Sequence, residues 1–496
     1  MKYYKPDGIG MWDTWCVQAE DTAHMYHLQF WGSKSEKTGV PVDSLGHAVS
    51  KDLINWTQCN DALYPNIKGT DDDMQPWTGC TLFHDNKFYM FYTMRSQEFS
   101  ATRQKIGLAT SDDGYNFTRY ENNPVIVPDS QWYINDPDYC GCIDCRDLVI
   151  VKYEEYWLGY YATRVHGKSS IETSTVACVR SYDLKNWEHL PPVFVPEKYN
   201  CIEVPDVFFL NGKWYLTALV GNTYGGNRNI YTDTNAFAGT IYAISDNPFG
   251  PFKEFEDDNV LICGEAFCGY SCRTVLFNEK RYVMFTQPSI QGGPTAVMSR
   301  PYLVDTDERG HLTLKYPEEL LPKKNDKINL NEPRLVCAHP AWNVQSGEWI
   351  LDGDVYKGNC EFGWQCAHVM DGAKNIEIEA EITLKEGTAA GITVRADKDN
   401  GTALFDHCLF LDAKNKKLAF AEMGNFHLSN ARDFDIEYEK SYKIHLVKND
   451  DHIDVYLNGD LYIQTAMAFN PAENFGIGIF VDRGKADIKF TRINLG

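Results

Sequence analysis

The sequence predicts an all-β protein, a five-bladed β-propeller followed by a C-terminal β-sandwich, and three observations carry that expectation. A nonapeptide pattern recurs: Ala48–Trp56 (Ala-Val-Ser-Lys-Asp-Leu-Ile-Asn-Trp) returns as Ala109–Phe117, as Val179–Trp187 and, more loosely, as Ala243–Phe252. Each copy reads as a strand, a Ser/Asp turn and an aromatic residue opening the next strand. A hairpin pattern also recurs, in Thr81–Tyr92, Asp147–Tyr161, Asp206–Thr217 and Thr274–Phe285, with Cys16–Phe30 a looser copy. Asn211-Gly212 is its strongest turn signal. Finally, the pattern changes after Tyr316–Asp326, where a polar, Pro-containing stretch intervenes.

The closing aromatics of the repeat stand roughly sixty to seventy residues apart, room for four strands and longer loops than a compact propeller blade needs. Five such units fill residues 1–325. Residues 326–344 read as a linker. From 345 to 496 the chain alternates short apolar strands with turns, the pattern of a lectin-like β-sandwich. Candidates there are Lys374–Leu384, Gly391–Ala396, Ala403–Leu411, Leu418–Glu422, Tyr442–Lys448, His452–Leu457, Leu461–Ala466, Gly476–Val481 and Asp487–Ile493. No segment carries a convincing helical period.

Composition narrows the function. The 496 residues carry a formal net charge of −22, which disfavours nucleic acid and anionic membranes as partners and suits a neutral small molecule. No run is long and apolar enough for a transmembrane helix. The first residues, Met1–Asp7, hold no apolar leader, and fifteen cysteines are an odd number, so a cytoplasmic protein with reduced thiols is expected. Cys140, Cys142 and Cys145 are spaced C-x-C-x-x-C, but no second pair completes a tetrahedral metal site, and none is expected.

In a propeller the first strand of each blade lines a central channel. Aligning the hairpins brings Asp13, Trp77-Thr78-Gly79-Cys80, Arg146-Asp147, Glu203-Val204-Pro205-Asp206 and Tyr270-Ser271-Cys272-Arg273 to one mouth. Packing alone gives no reason to gather carboxylates there. Arg146 and Asp147 could form a structural ion pair at a strand end, whereas glycoside hydrolysis needs one carboxylic acid and one carboxylate in a shared pocket. Asp52, Asp113 and Asp183 read as turn residues of the repeat, and Asp136 and Asp138 as a turn ahead of the third hairpin.

The order of these pieces, Asp13, then Leu45–Trp56 with its Gly-His-Ala-Val-Ser-Lys-Asp-Leu core, then Trp77-Thr78-Gly79, Arg146-Asp147 and Glu203-Val204-Pro205, resembles glycoside hydrolase family 32, the invertases, levanases and inulinases. The likeness covers most of the first 300 residues. It implies Asp13 as nucleophile, Asp147 as the carboxylate that holds sugar hydroxyls, and Glu203 as general acid/base. It implies substrate contacts from Trp12, Trp31, Trp77, Arg146 and His47, although the residues themselves favour His47 serving a backbone group over touching substrate. The family's nucleophile motif, Trp-Met/Ile-Asn-Asp-Pro-Asn-Gly, is altered here to Met11-Trp12-Asp13-Thr14-Trp15-Cys16, and Trp31 stands where a pocket Gln is usual.

The expected activity is therefore retaining hydrolysis of a terminal β-fructofuranoside or related furanoside on a small oligosaccharide, without a cofactor. An inverting furanosidase or xylosidase of the family 43 kind and a non-catalytic carbohydrate-binding protein are the alternatives. The sandwich domain offers a surface for a homodimer.

Overall fold

The computed structural model describes residues 4–29, 44–167, 169–220, 239–263, 270–288, 296–320, 328–336, 347–397, 402–403, 407–421, 430–449, 452–466 and 476–495. The chain divides into two compact units, Tyr3–Leu320 and Leu321–Gly496.

The first unit is built from antiparallel strands paired in succession. They are β1 (Met11–Ala19), β2 (Thr22–Gln29), β3 (Leu45–Ser50) and β4 (Trp56–Gln58). Next come β5 (Trp77–His84), β6 (Lys87–Ser96), β7 (Ser100–Ser111) and β8 (Thr118–Arg119). A third set is β9 (Arg146–Tyr153), β10 (Tyr156–Arg164), β11 (Ser174–Ser181) and β12 (Glu188–Phe194). A fourth is β13 (Glu203–Leu210), β14 (Lys213–Val220), β15 (Gly239–Ser245) and β16 (Val260–Cys263). The last is β17 (Tyr270–Phe277), β18 (Lys280–Pro288), β19 (Ala296–Met298), β20 (Tyr302–Thr306) and β21 (Leu312–Lys315), in which β18 pairs with both β19 and β20. β1 lies beside β5, β5 beside β9, β9 beside β13 and β13 beside β17, and β17 returns beside β1. This unit is a β-propeller.

The core lies between successive sheets. Val149, Leu158, Tyr160 and Val176 of one interleave with Val207, Leu216, Ala218 and Ile241 of the next. Because sheets stack on both sides, middle strands are apolar on both faces: β10 is buried from Tyr156 through Thr163.

The recurring nonapeptide is a hydrogen-bonded staple. In its second copy Asp113 accepts from the backbone N–H groups of Tyr115 and Asn116 and from the Asn116 side chain, while Ser111 Oγ donates to Asp113. Asp52 and Asp183 make the same set with Ser50, Ile54, Asn55 and with Ser181, Lys185, Asn186. The residue after each Asp turns left-handed: Leu53, Gly114 and Leu184 at φ 61°, 76° and 64°. These three aspartates are structural, as read from the sequence.

The second unit is rich in β-sheet. Its longest strands, Val355–Met370, Asn375–Glu386 and Gly476–Leu495, run antiparallel, the last pairing with both others and with Ala389–Asp397. Ile378, Ile382, Ile392, Leu409, Leu446, Val455, Ile479 and Ile488 fill its core. Three details differ from the sequence reading. Within residues 326–344, read as a linker, Arg334–Val336 pairs with Cys366–His368; three residues are too few to show a period. Gly347–Asp352 and Val355–Met370 are strands that the reading missed. Gly476–Val481 and Asp487–Ile493 are one strand: Arg483, at φ 47°, mimics a turn, and the register shift opposite it, between Cys360 and Trp364, bends the strand without ending it.

Among the described residues the only helices are single turns, Pro137–Cys140 and Ser170–Thr173, and none is long and apolar enough to cross a membrane.

Asp183→Ala removes one staple at an exposed turn. It should lower stability by about 1 kcal/mol, read as a shifted urea midpoint with an unchanged slope.

Candidate active site

Each first strand breaks its pairing at the same end. Two residues of β1, Trp12-Asp13, stand opposite one of β2, between the pairs Met11↔Gln29 and Thr14↔His27. The same two-against-one shift holds Thr78-Gly79, Asp147-Leu148, Val204-Pro205 and Ser271-Cys272. These are β-bulges, which bend a strand and re-aim its side chains. The sequence suits them locally. A Cβ at Gly79 would lie 1.9 Å from the Phe91 carbonyl oxygen. Pro205 has no N–H to leave unpaired. Asp147, Val204 and Ser271 are left-handed, at φ 60°, 47° and 54°. Val204 is the one β-branched residue in that region among the described residues. Its strained turn aims its N–H at Asp147 Oδ2, 2.9 Å away.

The bulges bring together the three carboxylates singled out in the sequence, each from a different bulge position: Asp13 is the second bulged residue, Asp147 the first, and Glu203 the residue before. Asp13 is 8% exposed. Thr78 Oγ1 donates to its Oδ2 at 2.5 Å, and Ser271 Oγ donates to its Oδ1. Asp147 is 3% exposed. Thr93 Oγ1 accepts from its N–H at 3.1 Å. The Glu203 side chain is the most open, at 23%.

Arg146 joins the set. Its guanidinium lies 3.0 Å from Asp144, 3.5 Å from Asp147 and 3.4 Å from Glu203, and it also donates to Cys201 Sγ at 3.0 Å and Gln104 Oε1 at 3.4 Å. The reading of Arg146-Asp147 as a simple pair at a strand end is therefore too small. Arg164 closes the far side of Asp144 at 2.6 Å.

Burial, the largest influence on each carboxyl, divides them by what opposes it. Asp144 ends below its usual range because Arg146 and Arg164 overcome its burial. Burial raises Asp13, against the hydroxyls of Ser271 and Thr78 and the charges of Arg273 and Arg146. Burial raises Asp147 to about 6, with Arg146 opposing and Asp13 adding. Glu203 is raised to about 7 by burial, Arg146 again opposing, with the charges of Asp147, Asp13 and Asp144 adding to the rise. Three neighbouring carboxyls that are all raised do not ionise together, so one can hold a proton as acid while another serves as anion in the same pocket.

Trp12 and Trp77 are half-buried beside Trp15 and Tyr26, and the Arg95 guanidinium lies 3.6 Å over the Trp77 ring. Trp31 lies outside the described residues. His47 stands apart from the carboxylates: it stacks on His24 and Tyr26, and its Nε2 meets His24 Nδ1 at 3.1 Å. Burial lowers both imidazoles, to about 3 and 4, so they pack as neutral rings. Asp136 caps the turn at Pro137–Cys140 by accepting from the Asp138 N–H. Thr78, Ser271, Asp144 and Arg273 completed the site without being singled out. Their only signal was position, since Thr78 and Ser271 share the bulge place of Asp147. Among the described residues no cluster of His, Cys, Asp and Glu is arranged to hold a metal ion.

Residues 18–259 match the model of the glycosyl hydrolases family 32 N-terminal domain, a span that includes Asp147 and Glu203 and begins after Asp13. An invertase of Schwanniomyces occidentalis is 26% identical over 231 residues, 43% of this chain and 39% of that protein. A levanbiose-producing levanase of Bacillus subtilis is 27% identical over 198 residues, 37% and 34% of the two chains. The chain is similar to glycoside hydrolase family 32 across residues 18–259, a little under half its length. It spans little more than a third of the length of these two curated relatives. The likeness in fold extends further. An exo-inulinase from Aspergillus awamori superposes with a TM-score of 0.70 at 16% identity, over 99% of this chain and 98% of that one. A family 32 β-fructofuranosidase from Bombyx mori gives 0.66 at 18% identity, over 98% and 92%.

The raised Glu203 carboxyl binds its proton more tightly folded than unfolded. That contribution to stability is complete below its ordinary value and lost as pH rises through about 7. Glu203→Gln removes the loss. The variant's Tm relative to the native chain should therefore be higher at pH 8 than at pH 5, and a difference that does not vary with pH would show that Glu203 is not held protonated.

Proposed function

We propose that the chain is a glycosidase that releases a terminal β-fructofuranosyl unit, or a related furanoside, from a small oligosaccharide by a retaining double displacement. The observation that carries this reading is the unequal treatment of carboxyls in one pocket: Asp13 held by two hydroxyls, Glu203 raised to about 7 and partly open. Relatives named invertase, levanase and sucrose-6-phosphate hydrolase support the substrate class.

In this mechanism Asp13 attacks the anomeric carbon while Glu203 gives its proton to the departing glycosidic oxygen. A furanosyl ester of Asp13 forms, and the leaving sugar departs as an alcohol. Water then attacks the same carbon, Glu203 takes back a proton, and Asp13 leaves as the carboxylate. Asp147 accepts hydrogen bonds from sugar hydroxyls as positive charge builds on the ring. Arg146 orients Asp147 and Glu203, and Trp12, Trp31 and Trp77 provide apolar faces for the sugar. His47 is left to packing.

The architecture completes the proposal. Five blades are supported by the five sets of paired strands and by β17 lying beside β1. A sandwich after the propeller is supported by the paired long strands of Leu321–Gly496. A boundary near 325, a cytoplasmic location and a homodimer formed through the sandwich belong to the same proposal.

The anomeric configuration of the first-formed product, followed by NMR, tests the chemistry. Retention is expected, and inversion would remove Asp13 as nucleophile. Glu203→Ala should lose roughly 10²–10⁴-fold on unactivated substrates, far less on aryl furanosides, and azide should restore turnover as a glycosyl azide. Native kcat/KM should fall below pH 6 as Asp147 protonates and above pH 7 as Glu203 loses its proton.

A further inference from the structure

Beneath the carboxylates the first strands enclose a cavity of about 590 Å3, lined by Trp15, Cys80, Val149, Asp206, Arg281 and Arg273 among others, and by none of Asp13, Asp147 and Glu203. Arg273 lines this cavity and its charge also acts on Asp13. It follows the Ser271-Cys272 bulge on β17, is 5% exposed, and donates from Nη2 to the main-chain carbonyl of Asp147 on β9 at 2.7 Å. β13 stands between β9 and β17 in the ring, so this guanidinium reaches across the channel instead of along its wall. Its Nε and Nη1 have no hydrogen-bond partner among the described residues. Burying a guanidinium with two orphaned nitrogens is costly, and a channel that only needed filling would be served better by an apolar side chain.

We propose that Arg273 is a positioning residue: it ties down the Asp147 bulge from across the channel and sets a fixed positive charge beneath Asp13, so that the attacking carboxylate stays ionised beside a protonated Glu203. This rests on the reading of the site as a retaining glycosidase. The two guanidiniums divide the work. Arg146 touches Asp147 and Glu203 directly and opposes the rise of both, whereas Arg273 acts on Asp13 and Asp147. The main influences on Glu203 are burial, Arg146 and the carboxylates Asp147, Asp13 and Asp144. Arg273 thus opposes the rise of Asp13 and Asp147 and is not among the main influences on Glu203, a difference in the direction a retaining site requires. The groups facing Asp13 are Thr78 from β5, Ser271 and Arg273 from β17, Arg146 and Asp147 from β9, and Glu203 from β13.

Two variants of the full chain separate charge from contact. Arg273→Gln keeps a donor for the Asp147 carbonyl but no charge; Arg273→Lys keeps the charge. With an aryl β-fructofuranoside, Arg273→Gln should lower kcat by about tenfold or more and move the acid limb of the pH profile upward by about one unit, with KM within about twofold. Arg273→Lys should restore most of both. Equal behaviour of the two variants, or a lower Tm with an unmoved acid limb, would reduce Arg273 to a structural plug and overturn the proposal. Carbon-13 titration of the aspartate carboxyls, with Asp13 assigned by loss of its signal in Asp13→Asn, needs no turnover. In Arg273→Gln the Asp13 titration should move up. If the native protein cleaves no furanoside, this titration still decides the role of Arg273. If native turnover is normal and Asp13 titrates unchanged in Arg273→Gln, the role of Arg273 fails while the glycosidase reading stands.

Discussion

The site depends on one buried cation shared among too many anions. Arg146 lies against Asp144, Asp147 and Glu203 at 3.0–3.5 Å, and its charge also reaches Asp13. With Arg164 and Arg273, three guanidiniums serve four carboxyls in a space that water scarcely enters. One carboxyl is left short of a counter-charge, and in a medium of low dielectric that shortage is met by a proton. Asp13, Asp147 and Glu203 are all raised, and Glu203, lifted to about 7 by burial and by the charges of Asp147, Asp13 and Asp144, can hold that proton near neutrality. The balance at each carboxyl is set by its burial first and by the surrounding charges second.

The bulges make that crowding possible. Regular strands would send alternate residues to opposite faces and spread the carboxyls along the channel wall. A two-against-one step at the end of each first strand frees a short run of backbone, and each sheet uses a different member of that run. The cost is visible at Val204, a β-branched residue held left-handed so that its N–H can reach Asp147.

Much of this was legible in the sequence. The Ser-x-Asp-x-x-Asn staples repeat because each closes the same local turn, and local turns write themselves into adjacent residues. Asp13, Asp147 and Glu203 could be found by aligning hairpins, since charges at the mouth of apolar strands stand out. Thr78 and Ser271 did not stand out, because a hydroxyl in a strand is ordinary until its partner is known, and their partner lies 65 and 258 residues away. Gly347–Asp352 and Val355–Met370 were hidden by polar residues, and Arg483-Gly484 gave a turn signal to what is a bend within one strand. His47 belonged to the most distinctive run of the sequence, yet that run builds a packed neutral pair with His24.

The hydroxyl clamp on Asp13 has a consequence for synthesis. As the chain leaves the ribosome, Thr78 emerges 65 residues after Asp13, but Ser271 and Arg273 follow more than 250 residues behind it. Until the last sheet docks against the first, one oxygen of Asp13 is unheld and the channel has no floor. Incomplete chains therefore carry the carboxylates without the arrangement that makes them useful. The contact of β17 with β1 that closes the ring is thus also what completes the clamp on Asp13.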